Sequence, residues 1–318
     1  MDKNTALTTQ EVADMLKIAK NTVYELIKRG ELNSYRVGRK VRIELKDVES
    51  YISNSKTIKE PNETDENNEL PTGNTSSKVI HNPYGGLVIC GQDLILDILS
   101  NYIKEHPKGA QALRAYIGSY NSLTELYYGN VQVATAHLWD GDTGEYNIPY
   151  VRRLLPGIPA VIIHLTYRMQ GFYVAKGNPK NINTWSDLSR QDITIINREK
   201  GAGSRVLLDE HLRLLGIKGN TIKGYTRESH SHLTAASTVG RGGADVAVGY
   251  EKIASQVNSV DFIPLQKERY ELVIKKEDME TPGIIAMLEI LNSDKFKMEF
   301  KDIGGYEISE MGNVVAEI

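Results

Sequence analysis

Residues 87–136 read LVICGQDLILDILSNYIKEHPKGAQALRAYIGSYNSLTELYYGNVQVATA. Three apolar runs stand out, at 87–90, 113–117 and 131–136; each is too short for a helix and is bounded by small or polar residues, as buried strands are. Between the first two, Leu94, Ile95, Ile98, Leu99 and Tyr102 recur at helical spacing. A second helix is expected over 123–128. The order strand, helix, strand, helix, strand predicts an α/β fold with a mostly parallel sheet flanked by helices. Outward from this core, further strands are expected at 193–196, 244–249 and 272–274, and helices near 204–215 and 231–240.

The chain has 318 residues, enough for two or three domains at roughly 100–200 residues each. Its 40% hydrophobic and 25% charged residues are ordinary for a globular protein. No run reaches the roughly 18 apolar residues of a membrane span, so no membrane partner is expected. The start, MDKNTALTTQEVADML, lacks the basic and apolar regions of a secretion signal, and a cytoplasmic location is expected. A single cysteine, Cys90, excludes an intrachain disulfide and any Cys-clustered zinc or iron–sulfur site.

Charge is uneven along the chain. Residues 1–56 carry 11 Lys+Arg against 8 Asp+Glu, a net of +3, whereas residues 57–78 carry 2 against 5, a net of −3. The segment 57–78 has no aromatic residue, two prolines and many Asn, Thr and Glu. It cannot bury enough apolar surface to offset its ordering entropy, and reads as a flexible linker between residues 1–56 and 79–318.

In the first segment, Thr8-Thr9-Gln10-Glu11 has the hydroxyl cap and early acid of a helix start. Val12, Ala13, Leu16 and Ile18 form its apolar side. After a break at 19–22, Val23, Leu26 and Ile27 mark a second helix ended by Gly30. That helix presents Lys20, Asn21, Thr22, Tyr24, Lys28 and Arg29 on its other face. Two short helices joined by a tight turn make a helix-turn-helix, whose second helix can enter a major groove. Tyr35, Val37, Val41 and Ile43 then alternate with Arg36, Lys40 and Arg42. This predicts a hairpin turning at Gly38-Arg39, a basic wing suited to phosphate contacts. Leu45, Val48, Tyr51 and Ile52 close the module.

These stretches (Leu7–Ala13, Asn21–Leu32 and Arg36–Ile43 in continuous sequence) resemble the excisionase-type, MerR-like winged helix-turn-helix family. The resemblance implies binding to double-stranded DNA, with Asn21, Thr22 and Tyr24 on the recognition helix and Arg36, Arg39, Lys40 and Arg42 near the backbone. A net of +3 is mildly basic, so tight operator binding would require a homodimer or higher homo-oligomer.

In open α/β sheets, ligands bind beyond the carboxyl ends of strands, where helix N-termini gather. Three such points follow predicted strands: Gly91-Gln92-Asp93; Gly118-Ser119-Tyr120-Asn121-Ser122; and 197–205, which contains Gly201-Ala202-Gly203-Ser204-Arg205. Each is either ordinary capping or part of a polar cup for an anion. The Gly201–Ser204 run lacks the ending of a Walker motif and is incomplete as a Rossmann fingerprint. His230 and His232, with His137 elsewhere, lack the further ligands of a metal site, and there is no HExxH. With no G-x-S-x-G elbow and no nucleophile–base pairing, no catalytic residues are assigned and the protein is not expected to be an enzyme.

The stretches 140–147 (DGDTGEYN), 149–157 (PYVRRLLPG), 168–172 (RMQGF), 197–205 and 244–249 (ADVAVG) resemble the type II periplasmic-binding-protein-like domains related to molybdate and molybdenum-cofactor proteins. The resemblance spans nearly all of 79–318. It implies two lobes, 79–165 with 266–318 and 166–265, and a ligand in the cleft between them. One departure concerns the rim: Gly91-Gln92 stands where that family suggests a Ser-His pair.

The expected protein is therefore a one-component transcriptional regulator that senses a small anion in the interlobe cleft, with no cofactor. The resemblance suggests molybdate, tungstate or a molybdopterin-type compound as effector. The candidate ligand residues are Gln92, Asp93, Ser119, Tyr120, Ser122, His137, Arg168, Gly201, Gly203, Ser204, Arg205 and Asp245. The main contacts are expected from the neutral donors of Ser119, Ser122, Gly203 and Ser204. Arg168 reaches either an anion or an interlobe salt bridge, Asp245 either caps a strand or accepts from a ligand, and His137 either donates to an oxyanion or packs at the hinge. The alternative is a molybdenum-cofactor biosynthesis enzyme or carrier with a reused DNA-binding head.

Overall fold

A computed structural model of the chain describes residues 6–28, 32–38, 40–54 and 86–318. The chain divides into two compact units, Met1–Gly73 and Asn74–Ile318. The expected linker lies outside the described residues.

The first unit holds strand β1 (Ala6–Thr8), helices α1 (Thr9–Leu16) and α2 (Lys20–Lys28), strands β2 (Tyr35–Val37) and β3 (Lys40–Glu44), and helix α3 (Leu45–Asn54). The start of α1 is fixed by a reciprocal cap: the Thr8 hydroxyl accepts from the Glu11 N–H at 3.2 Å, and the Glu11 carboxylate accepts from the Thr8 N–H at 2.7 Å. The Thr8 N–H, together with the Thr8 hydroxyl donating to the same carboxylate at 2.9 Å, holds the Glu11 carboxyl below its ordinary value. The antiparallel sheet has the order β1-β3-β2, and β2–β3 is the expected wing, turning through Gly38 at φ +60°. Val12, Ala13, Val23, Leu26, Leu32, Ile43 and Val48 are buried together and hold both helices on the sheet.

The second unit begins with β4 (Leu87–Cys90), α4 (Leu94–Glu105), β5 (Ala112–Ala115), α5 (Ser119–Tyr127), β6 (Val133–Ala136) and α6 (Ile148–Leu154). Strand β7 (Ala160–Ala175) leads into the second lobe, which holds β8 (Asn197–Arg198), α7 (Gly203–Leu214), β9 (Glu228–Ser229), α8 (His232–Gly240), β10 (Val246–Tyr250) and α9 (Glu251–Ala254). Strand β11 (Val260–Lys275) returns to the first lobe, followed by α10 (Pro282–Asn292), α11 (Asp294–Ile303) and β12 (Val314–Glu317).

The expected strand–helix alternation is present, but the sheet is mixed rather than mostly parallel. Its order is β10-β7-β11-β6-β4-β5, with β12 also on β7. Only β4 pairs in parallel, with β5 and β6; the pairs made by β7 and β11 are antiparallel. The reason is the two sixteen-residue strands, which run alongside each other in opposite directions from one lobe into the other. Near one end, β7 pairs with β12 through Val161–Ile163; near the other, it pairs with β10 through Gln170–Val174. Register shifts between Pro264 and Gln266 and between Tyr270 and Glu271 interrupt the pair at the crossing, where bulges add local bend and twist.

In the first lobe, alternate residues of the strands feed two cores. Ile163 and Leu272 face α4, α10 and α11, whereas Ile162 and Val273 face α5 and α6. In the second lobe, Phe172 and Val174 pack with Leu208 and Leu212 of α7, while Tyr173 packs with Ala235, Ala236 and Val239 of α8. The strand expected at 193–196 is reduced to isolated bridges, Thr194 to Lys223 and Ile195 to Val246, before the two residues of β8. Its N–H groups bond in turn to different neighbours, Ile195 to Lys223 O and Ile196 to Val246 O, so no continuous ladder forms.

Candidate functional site

Four helix N-termini converge where the lobes meet, and they differ in what fills them. Asp93 caps α4 by accepting from the Ile95 N–H at 2.9 Å, and Ser231 caps α8 by accepting from the Thr234 N–H at 3.0 Å. Neither α5 nor α7 has a side-chain cap or an acid in its first turn. Their first N–H groups are the donors a helix cannot satisfy internally. The two termini abut backbone to backbone: a Cβ on Gly118 would stand 2.7 Å from Ala202 Cα, and the Tyr120 N–H donates to Gly201 O at 2.9 Å.

A cavity of about 20 Å³, space for a water-sized group or two, lies at this junction. The first lobe lines it with Gly91, Gln92, Ile117, Gly118, Ser119, Thr135, His137 and Tyr270, the second with Arg198, Ala202, Gly203, His232 and Tyr250; Arg168 enters from the crossing strand. Gly91 has no alternative here, since it holds φ +139° and a Cβ would come within 2.3 Å of Thr135 Oγ1 and 2.7 Å of the Tyr270 hydroxyl. Gln92 bridges the lobes, accepting from Arg198 Nη2 at 2.6 Å and donating to Glu199 Oε1 at 3.1 Å.

Arg168 is fully occupied. It donates to Glu268 at 2.7 Å through Nε and to Asp93 through Nη1, and its guanidinium lies 4.5 and 4.0 Å from the ring centres of Tyr250 and Tyr270. Burial works against its charge, yet Glu268 and Asp93 outweigh burial and hold the guanidinium firmly protonated. The same pairing acts on Glu268: burial pushes its carboxyl up, and Arg168, His137 and the Gln170 amide pull it below its ordinary value.

Arg198 is only 2% exposed and is not fully occupied. Its Nε donates to Ser229 O at 3.0 Å and to Glu199 at 2.9 Å, and Nη2 reaches Gln92 and Glu199, but among the described residues the buried Nη1 has no partner. The Nδ1 of His232 is likewise buried without a partner. Burial, with Arg198 and Arg168 as neighbouring cations, pushes this imidazole well below its ordinary value, so it is neutral. His137 places Nδ1 2.7 Å from Glu268 Oε2, and its ring lies where a Cβ on Gly203 would be, 2.5 Å from Nε2.

The structure thus gathers Gln92, Ser119, His137, Arg168 and Gly203 of the expected residues around one cavity, with Asp93 immediately behind Arg168. It places the others elsewhere. Ser122 is buried and donates to Ile117 O, and the Ser204 hydroxyl donates to Gln170 Oε1 at 3.2 Å. Tyr120 is exposed, while Gly201 packs against Asn121. Arg205 is engaged by Asp209, Glu228 and the Tyr225 ring. Asp245 accepts from the Thr194 N–H at 2.7 Å and pairs with Lys180, lining a separate groove of the second lobe. Sequence reasoning passed over Arg198, His232, Thr135, Tyr250 and Tyr270. Arg198 stood inside the glycine-rich stretch that drew attention, and His232 was weighed only as a metal ligand. Among the described residues, no three His, Cys, Asp or Glu side chains are grouped to hold a metal ion.

A second interlobe contact lies beside the cavity. The His211 imidazole is stacked between Trp139 of the first lobe (4.5 Å) and Trp185 of the second (4.3 Å), and its Nε2 donates to Gln266 Oε1 at 2.9 Å. Burial pushes its pKa down, which keeps it neutral.

In the first unit, Lys20, Asn21, Thr22, Tyr24 and Lys28 are exposed on α2, while Val23 and Leu26 are buried. The Tyr24 hydroxyl accepts from Thr9 Oγ1 at 3.4 Å. On the wing, Lys40 is exposed, and Arg42 is half-buried and donates to Val41 O. Arg36 pairs through its backbone with Val41; Arg29 and Arg39 lie outside the described residues.

A helix-turn-helix domain is matched over residues 6–56 and a PBP superfamily domain over residues 100–292. The protein YvgK of Bacillus subtilis (strain 168) is 42% identical over the full length of both chains. A Clostridium perfringens substrate-binding protein with bound phosphate superimposes with a TM-score of 0.52 at 14% identity, covering 70% of this chain and 98% of that one. A hydrogen peroxide-bound OxyR variant from Corynebacterium glutamicum gives a TM-score of 0.50 at 14% identity, covering 93% and 88%. A two-lobed domain closed over a polar cavity, with the superfamily match across more than half its length, identifies the chain as a member of the PBP superfamily that carries an N-terminal helix-turn-helix domain.

Proposed function

We propose that the protein is a one-component transcriptional regulator: the helix-turn-helix unit binds duplex DNA and the two-lobed unit senses a small oxyanion. The observation that carries the ligand reading is Arg198 Nη1, a buried guanidinium donor without a partner among the described residues, beside the uncapped N-termini of α5 and α7. A buried, unsatisfied, charged donor is costly, and an anion oxygen offsets that cost. Molybdate and tungstate, suggested by the resemblance, are compact anions; the cavity holds only a water-sized group or two, so admitting either ion requires the lobes to part, and a molybdopterin would require far more. The phosphate in the Clostridium perfringens neighbour supports the oxyanion class. The site offers hydrogen bonds and charge rather than a nucleophile, so a binding role is favoured over catalysis. Paired heads in a homodimer would supply the DNA affinity that one mildly basic unit lacks.

The test is thermal melting of the full chain with phosphate, sulfate, molybdate and tungstate. An ion at a hundred times its Kd should stabilise the fold by about 2.7 kcal/mol. No shift with any of the four would remove the oxyanion reading. On the DNA side, affinity for duplex should fall steeply with salt, and replacing Lys40 and Arg42 with Ala should weaken binding to all sequences alike.

A further inference from the structure

The stretch 140–147, DGDTGEYN, takes no part in lining the cavity, yet it stands between the lobes. It forms a turn that closes on itself. The Asp140 N–H donates to Glu145 O at 2.9 Å, the Gly144 N–H to Asp140 O at 2.8 Å and the Asp142 N–H to Asp140 Oδ1 at 3.0 Å. Asn147, buried at φ +61°, ties down the base: its N–H donates to Leu138 O at 2.8 Å, and its Oδ1 accepts from the Leu138 N–H at 2.7 Å. All of these bonds lie inside the first lobe, so the turn keeps its shape whether or not the second lobe is near.

Helix α7 of the second lobe meets the first lobe along one stripe. Gly203, Val206, Glu210 and Arg213 recur at spacings of three and four, which puts them on one face of the helix, while Leu208 and Leu212 on the opposite face sit in the second-lobe core. Gly203 lies on the face of the His137 ring, and Val206 packs on the first-lobe core that holds Leu123, Ala136 and Leu138. Two turns on, the Glu210 carboxylate accepts from the Gly141 N–H at 2.9 Å. This approach needs glycine, since a Cβ at 141 would stand 2.8 Å from Glu210 Oε2 and 3.1 Å from Arg213 Nη2. Arg213 above all, with the Gly141 N–H, outweighs partial burial and holds the Glu210 carboxyl below its ordinary value, so a charged acceptor faces the amide. The 2.8 Å pair of Arg213 with Asp142 is well exposed and adds little. His211 adds its stack on Trp139 at 4.5 Å.

We propose that the turn 139–147 is a clasp for α7, with Glu210 as the positioning residue: gripping the helix there sets its N-terminus, with the N–H groups of Gly203 and Ser204, against the cavity. Gly203 lies about 10 Å from Glu210 along a stiff helix, so the grip at one end is felt at the other. Trp139, Gly141, Glu210, His211 and Arg213 do not line the cavity, and their contacts favour closure whatever the cavity holds. The clasp thereby raises the fraction of molecules with the cleft closed, and the apparent affinity for an anion rises with that fraction.

Hydrogen exchange and calorimetry on the full chain test this. At the cavity end of α7 the Tyr120 N–H donates across the lobes to Gly201 O at 2.9 Å, which makes that amide a reporter of closure remote from Glu210. Glu210→Ala should speed exchange of the Tyr120 amide about tenfold, and weaken sulfate and molybdate binding by a similar factor, because a hydrogen bond to a charged group is lost. Glu210→Gln, which keeps an acceptor for the Gly141 N–H, should restore most of both. Gly141→Ala acts from the other lobe: its methyl displaces the Glu210 carboxylate and should reproduce Glu210→Ala. Faster exchange confined to 139–147, with the Tyr120 amide and the affinity unchanged, reduces the turn to a local contact and overturns the clasp. Failure of Glu210→Gln to restore either property overturns the positioning role of the acceptor. The affinity measurement rests on the oxyanion reading; if the parent chain binds neither ion, that reading falls, and exchange at Tyr120 still decides the clasp. Should Glu210→Ala fail to fold, Gly141→Ala carries both measurements.

Discussion

The cleft has two walls, and each buries one arginine. Arg168, on the crossing strand, is clamped by Asp93 and Glu268 and stacked between two tyrosines. Arg198, on the second-lobe wall, is as deeply buried but keeps one nitrogen free. Depth and charge are the same, and the difference lies in how completely each fork is satisfied. A satisfied arginine builds the hinge, and an unsatisfied one is left for a ligand.

The strongest way to break this division is to remove each cation in turn. Arg168→Met should strand two buried carboxylates and cost about 3–5 kcal/mol of stability, about 10 °C or more in melting temperature. Arg198→Met should instead lower oxyanion affinity by about a hundredfold or more, with a smaller loss of stability than Arg168→Met, since Glu199 is less buried than either partner of Arg168. Equal effects of both substitutions on melting would erase the distinction. Gly118→Ala probes the junction of the walls. Its backbone suits alanine, but the methyl would meet Ala202 across the cleft and hold the lobes apart, weakening oxyanion binding by about ten- to a hundredfold. Unchanged affinity would mean that the contact between α5 and α7 is not needed for binding.

A smaller effect comes from pH. His232 has a folded-state pKa well below 6.5, so its stabilising contribution is complete above 6.5 and is lost as pH falls, when the unfolded chain takes up a proton that the folded chain resists. Glu268, held below 4.5, contributes stability above 4.5 that is lost as pH falls through its lower folded value. Both make the ligand-free chain less stable in acid, His232 by a slope that grows below pH 6.5 and approaches about 1.4 kcal/mol per pH unit about one unit lower. A melting temperature that does not change between pH 7 and 5 would contradict the buried neutral imidazole.

The two units were unequally legible in the sequence. In the first, cap, helix spacing, wing and closing helix all lay within about 50 contiguous residues, and local rules were enough to place them. In the second, β7 escaped, and of β11 only the stretch 272–274 was expected. The β7 run is buried almost throughout, so it lacks alternation, and the register of both strands is set by partners about a hundred residues away. The site divided in the same way. Ser119 and Gly203 were found because helix starts announce themselves locally. Ser204 and Arg205 looked equally suitable, yet their turn of helix aims them at Gln170 and at Asp209. What singles out Arg198 is that one of its nitrogens lacks a partner among the described residues, a property of its neighbours' positions rather than of the arginine itself.

The stack of Trp139, His211 and Trp185 holds both tryptophans of the chain, one from each lobe, on the two faces of a single imidazole. Separating the lobes must lift Trp139 off this ring and into water while Trp185 stays in place. The protein therefore carries its own optical gauge: the intensity and colour of its intrinsic emission follow the cleft, without a dye or a label to disturb it.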